Sequence, residues 1–161
     1  KRGRANFEKK MQSSNMYNNV AIVDLSSNLA SPSSVDAVVT FRNLHNWIGP
    51  QMDTIFKNSY KALKPGGIFG IVEHRANPGT SLDAMKSSGY VTESYAIAIA
   101  EKHGFVLVDK SEINANPKDL KNYERGVWTL PPSLRLKDKD TEKYLEIGES
   151  DRMTLLFKKP N

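Results

Sequence analysis

Apolar residues in this chain fall into short runs, and segments with helical spacing separate them. Val35 to Phe41 is apolar almost throughout, which suggests a strand in a central position. Met52, Ile55, Phe56, Tyr60 and Leu63 then recur every three to five positions, which predicts an amphipathic helix over 50–63 with Pro50 near its first turn. Pro65 stops that helix, and Gly66 and Gly67 suit a helix end that needs a left-handed residue. Ile68 to Val72 is a second apolar run rich in branched residues, as a strand covered on both faces should be, and Ile68 to Glu73 reads as the next strand. The helix–Pro-Gly-Gly–strand junction from Leu63 to His74 is the most informative stretch of the chain.

The flanking segments extend the alternation. Phe7 and Met11, four apart among charges, predict a helix from Arg4 to about Tyr17, broken at Asn18-Asn19. Val20 to Leu25 reads as a short strand, and Ser26 to Ser34 as a loop. Asn77 to Ser81 is a turn, whereas Leu82 to Ser88 fits neither period. Thr92, Tyr95, Ala98 and Ile99 predict a helix over the sheet that Gly104 can cap, followed by a strand over 105–113. Asn114 to Asp140 is irregular and carries Pro117, Pro131 and Pro132, so it is either functional or an insertion with its own structure. Met153 to Phe157 closes the pattern as a last strand. Such alternation implies parallel strands joined by right-handed crossovers, in a single α/β domain over 1–161.

Composition narrows the classes. At 161 residues the chain can build one real core, and 39% hydrophobic with 25% charged residues is ordinary for a soluble protein. No apolar run approaches the roughly 20 residues of a membrane helix, so no membrane partner is expected. The absence of cysteine excludes disulfides, thiolate zinc sites and cysteine nucleophiles. The net charge of +5 is spread, with clusters only at Lys1, Arg2, Arg4, Lys9 and Lys10 and at Lys158-Lys159. Without a basic stripe interleaved with aromatics, nucleic acid is not an expected partner. No H-E-x-x-H metal spacing, G-x-S-x-G elbow or Walker loop occurs, so the linear sequence supports no metal, hydrolase or NTPase reading.

In an open parallel sheet, ligands bind beyond the carboxyl ends of the strands. That rule selects Asp24-Leu25, Phe41 to Trp47 and Glu73 to Asn77. His45 is either a general base, its imidazole titrating near neutrality, or a residue that merely bonds its own loop. Asp24 either belongs to the site or caps its turn. Glu73 and Arg75 are expected to form a structural ion pair, with His74 projecting to the opposite face. Trp47 and Trp128 read as packing residues.

Asp36-Ala37-Val38, Leu44-His45 and Leu63-Lys64-Pro65-Gly66-Gly67 stand in the order and spacing of the fourth and fifth strands of class I S-adenosylmethionine-dependent methyltransferases, and the chain resembles that family from about Val20 onward. Glu101 to Val108 resembles its helix, Gly-Phe and strand six, and Gly148 to Pro160 its closing strand seven. Glu73-His74-Arg75 and Asn116-Pro117-Lys118-Asp119 are similar to the D-H-R and N-P-x-D of a bacterial subgroup of predicted methyltransferases. The resemblance implies a Rossmann-like, mostly parallel sheet with an antiparallel last strand, and S-adenosylmethionine as cofactor. It implies that Asp24 and Leu25 approach the adenine, that Phe41 and Arg42 border the cofactor, and that His45, Asn46 and His74 serve catalysis and the substrate.

Two family features are missing. There is no G-x-G-x-G loop after a first strand, and no acidic residue ending a second. The expectation is therefore a C-terminal portion lacking the cofactor half, one that binds S-adenosylmethionine poorly alone. Such a chain would leave the edge of Val35 to Phe41 open to a second copy or to the missing half. The absence of N-P-P-Y after Phe41 argues against adenine or glutamine N-methylation. A small-molecule acceptor and a cytoplasmic location are expected, with this chain inactive by itself. A non-catalytic binding module that keeps part of the fold is the alternative.

Overall fold

The computed structural model describes residues 2–161. Its centre is a four-stranded sheet of β1 (Val35–Phe41), β2 (Leu63–His74), β3 (Val106–Ser111) and β4 (Arg152–Lys158), in the spatial order β1-β2-β4-β3. β1 and β2 pair in parallel, while β4 runs antiparallel to both β2 and β3. Three strands thus share one direction and only the last is reversed, as the resemblance implied.

The crossover between β1 and β2 is α2 (Pro50–Ala62), with Pro50 in its first turn, where a missing N–H leaves no bond unmade. Both glycines after it are required, for different reasons. Gly66 sits at φ 76°, and a Cβ on Gly67 would lie 2.9 Å from the Lys64 carbonyl and 3.1 Å from that of Asp36. The turn therefore delivers β2 against β1 with Ala37 opposite Ile68 and Phe41 opposite Val72.

α2 and α4 (Glu93–Lys102) both pack on one face of the sheet. Met52, Ile55, Phe56, Ala96 and Ala100 meet Phe69, Ile71, Leu155 and Phe157 there. Phe69 is at the middle, 5.2 Å from the Phe56 ring and 5.0 Å from that of Phe105. Burying one such ring contributes about 1.5–3 kcal/mol. The opposite face, with Val39, Gly70, Val72, Thr154 and Leu156, lines an open apolar depression.

That asymmetry corrects the expectation that Ile68 to Val72 of β2 is covered on both faces, and the strand order corrects the expectation that β1 is central. β1 is an edge strand among the described residues, with Val39 57% and Phe41 64% exposed.

Two further expectations fail. The first helix, α1 (Arg2–Gln12), ends before Tyr17, because the Ser14 side chain accepts from the Met16 N–H and starts a separate 3-10 turn over Asn15–Tyr17. Val20 to Leu25 forms no strand. A strand is stabilised by its neighbours' ladder and packing, and half-exposed Val20 and Val23 have neither.

The segment of undecided period is α3 (Leu82–Ser88), capped by the Ser81 hydroxyl and ended by left-handed Gly89. The long stretch after β3 is ordered: it carries a 3-10 turn over Gly126–Thr129, buries Thr129 and Leu130, and leads into a short helix, α5 (Thr141–Ile147).

Candidate functional site

The site lies where the tails of β1 and β2 end side by side. Beyond β1 the chain enters a 3-10 turn, Leu44–Trp47, whose first backbone N–H groups have no partner within the turn. Glu73, at the tail of β2, supplies one. Its Oε2 accepts from the Leu44 N–H in a short bond and from the His45 N–H at 3.3 Å. Its Oε1 faces the His74 N–H at 2.9 Å and His45 Nδ1 at 3.0 Å. Four N–H donors fill the acceptor positions of one fully buried carboxylate. Because a carboxylate only accepts, His45 carries its proton on Nδ1, and Nε2 is left with a free lone pair.

Glu73 was expected to pair with Arg75, and it does not. Arg75 turns instead to Asp151, at 2.8 and 3.0 Å, and to Glu112, at 2.6 and 2.8 Å. Successive side chains on a strand leave opposite faces, but residues two apart share a face only while the strand stays regular. β2 ends at His74, and past it Arg75 pairs across to the backbone of Val91.

His74 places Nδ1 2.6 Å from the Ser150 hydroxyl, and its ring lies 5.6 Å from that of His45 and 6.2 Å from Tyr90. Desolvation drives the His74 imidazole down to about 4; Glu73 opposes this, while His45, Arg42 and Arg152 reinforce it. It is therefore neutral at physiological pH.

Both imidazoles line a cavity of about 370 Å³ together with Phe41, Arg42 and Asn46. The fold thus brings five of the sequence-selected residues to one place. The other two lie apart. Asp24 is exposed and pairs with Arg4. Leu25 lines a separate, mainly apolar cavity of about 390 Å³ with Leu29, Val38 and Trp47. Phe41 borders both cavities.

The remaining walls escaped the sequence reading. Trp128, expected to be a packing residue, meets His45 edge-on at 5.8 Å and holds Arg135 over its face at 4.6 Å. Arg152, which opens β4, Ser150 just before that strand, and Ser133 complete the polar part. Only antiparallel pairing, with His74 opposite Arg152, puts residues so distant in sequence beside β2.

His45, Glu73 and His74 also offer ligand atoms within 4.8 Å of one another, a metal-like grouping that no linear spacing announced. The four N–H groups already on Glu73 compete with such a use.

Behind the site, the motif residues Asn116 and Asp119 act as girders. Asn116 donates from its backbone N–H to Asp151 and from Nδ2 to the carbonyls of Ile147 and Glu149. Asp119 accepts from the Tyr90 hydroxyl and from the backbone N–H groups of Lys121 and Asp151. Desolvation alone would raise the Asp151 carboxyl, but Arg75, Lys121 and the Asn116 N–H outweigh it and hold that group at about 2.

Against known proteins, no family model matches and no curated protein is significantly similar in sequence. Solved structures do match. A candidate sarcosine dimethylglycine methyltransferase from Galdieria sulphuraria superposes with a TM-score of 0.61 over 95% of this chain and 64% of its own, at 16% identity. An S-adenosylmethionine-dependent methyltransferase from Methanosarcina mazei gives 0.58 over 95% of this chain and 75% of its own, at 14% identity. This chain has a methyltransferase-like Rossmann fold. The [4+2]-cyclase SpnF gives 0.57 over 87% of this chain and 56% of its own, at 16% identity. The fold thus also occurs in a protein named for another reaction. The chain spans under two thirds of the Galdieria protein and of SpnF.

Proposed function

We propose that this chain belongs to an S-adenosylmethionine-dependent methyltransferase acting on a small molecule, with His45 as the base that takes the acceptor's proton. The observation that carries the reading is the buried Glu73–His45 pair at the carboxyl edge of a methyltransferase-like sheet. The cofactor's flat adenosyl part fits the apolar cavity, where Leu25 and Phe41 would hold it; Asp24 is outside that wall. When bound, S-adenosylmethionine supplies an electrophilic methyl group, so the protein's task is to bind, align and exclude water.

Glu73 holds the His45 ring in one orientation and one tautomer, with Nε2 as the proton acceptor, and stabilises the imidazolium that forms as an O–H or N–H acceptor gives up its proton. Trp128 and Phe41 wall the polar cavity, and Asn46, tied to Asn43 at 2.8 Å, steadies the turn that carries His45.

Incubation of the full-length enzyme that carries this domain with methyl-labelled S-adenosylmethionine and mixed hydroxylated and amine acceptors tests the reading. Label should pass to an acceptor and fall at least about 100-fold with His45→Ala. Label that never leaves the cofactor, with no cofactor binding by calorimetry, would sink it.

That last outcome favours a second reading, a non-catalytic binding module. The exposed β1 edge supports it, since an unpaired strand is a template for another chain.

A further inference from the structure

The walls of the polar cavity carry two guanidinium groups, Arg42 and Arg152, and two imidazoles, yet no carboxylate lines it among the described residues. The nearest acid below it, Glu73, is fully buried and already accepts four N–H bonds. Arg152 pairs on its outer side with exposed Glu149. The Arg42 side chain has no hydrogen bond or ion pair among the described residues. Its backbone is at φ 53°, a conformation that L residues other than Asn and Asp seldom adopt, at the first position beyond β1. The Arg42 N–H donating to the Val72 carbonyl at 2.7 Å pins that turn. Such strain is typical of functional sites, where surrounding structure holds a residue in place.

A cation would meet two guanidinium groups here, of which only Arg152 has a carboxylate partner, and a neutral ligand would leave Arg42 unanswered. Resting on the methyltransferase reading, we infer that this cavity binds an anionic acceptor, gripping its carboxylate or phosphate group between Arg42 and Arg152 while its O–H or N–H faces His45. Guanidinium forks match both acid groups. Neutral His74 adds a hydrogen-bonding group without a competing charge. The same argument weighs against a metal at His45, Glu73 and His74.

The test follows the His45 and His74 ring signals by NMR while the full chain is titrated with inorganic phosphate, acetate or uncharged acetamide at constant ionic strength. Phosphate and acetate should shift both signals saturably, and acetamide should not. Arg42→Gln and Arg152→Gln should each weaken the anions about tenfold, with backbone spectra showing an intact fold. Equal response to acetamide, or anion affinity unchanged in both variants, would overturn the inference. So would loss of the phosphate shifts once calorimetry shows S-adenosylhomocysteine bound, which would assign the arginines to the cofactor's own carboxylate; shifts that persist with it bound support the acceptor. Zinc binding to the two rings at micromolar concentration would overturn it in favour of a metal. Labelled methyl transfer, assayed separately, shows whether the enzyme reading itself stands: transfer without anion binding refutes only this inference, and anion binding without transfer refutes only the enzyme.

Discussion

Glu73 accepts three backbone N–H groups and one imidazole in complete burial, whereas Arg75, two residues further along, answers the carboxylates of Asp151 and Glu112 at a partly exposed surface. The first arrangement organises a turn and aims one histidine into a cavity. The second staples the long segment after β3 onto the strand tails. Both are charged residues at the tail of β2, one inside it and one just past it, yet only the first is bonded so that a titratable ring is left half-free. A buried charge poises chemistry when its partners include the reacting group, and it merely braces when its partners are other fixed charges.

The largest effect is expected at Glu73. Glu73→Leu strands the N–H groups of Leu44, His45 and His74, and removing one member of such a buried set costs about 3–5 kcal/mol. Denaturant unfolding should show that loss together with loss of methyl transfer. Arg75→Met should leave turnover in the folded fraction near normal while lowering the melting temperature. Equal loss of turnover in both variants would erase the distinction drawn here.

Next comes His45→Ala. Losing a positioned proton-transfer group costs about 10²–10⁴-fold in rate. If His45 faces the acceptor, turnover should fall more than cofactor affinity, at nearly unchanged melting temperature. A lower melting temperature with normal turnover would make His45 a structural residue like those around Arg75.

How much of this was legible follows the same division. The β1–α2–β2 crossover and the reversed last strand could be read from local signals, namely the apolar runs and the Pro-Gly-Gly turn, together with family motifs in order. The position of His45 at a strand's carboxyl end was likewise local. Its partner was not. Glu73 is 28 residues away, and no spacing distinguishes a carboxylate that binds a turn from one that binds its neighbour Arg75. Ser150 and Arg152 reach the cavity because β4 folds back against β2, and Trp128 comes from the 3-10 turn in the long segment between β3 and β4. Val20 to Leu25 misled because an apolar run records suitability for a strand, not the presence of a neighbour to pair with.

His74 sharpens the comparison through pH. Its folded value is about 4 against 6.5 ordinarily, so below pH 6.5 the unfolded chain binds a proton that the folded chain refuses. Stability should therefore be fullest above pH 6.5 and decline as pH falls towards 4, by on the order of 3 kcal/mol at about 1.4 kcal/mol per unit. Asp151 works in a lower window: its depressed carboxyl contributes stability that is lost only as pH falls from about 3.8 towards 2. Unfolding free energies measured between pH 7 and 4 should flatten in His74→Gln. An unchanged slope in His74→Gln would mean that another group carries the effect.

The smallest expected effect separates motif from machinery. Asn116 opens the N-P-x-D sequence that resembles a methyltransferase subgroup motif, yet its side chain faces backbone: Nδ2 bonds the carbonyls of Ile147 and Glu149, and Oδ1 accepts from the Lys118 N–H. Asn116→Ala removes these bonds but keeps the backbone donor to Asp151, so the loss should be about 1–2 kcal/mol. Because Ile147 and Glu149 precede Ser150, the partner of His74 Nδ1, loosening should spread to the cavity wall before the core. Hydrogen exchange is expected to quicken over 144–150 and leave Phe69 to Val72 protected. Faster exchange throughout β2 would show instead that Asn116 braces the whole sheet, and that the girder and the site form one cooperative unit.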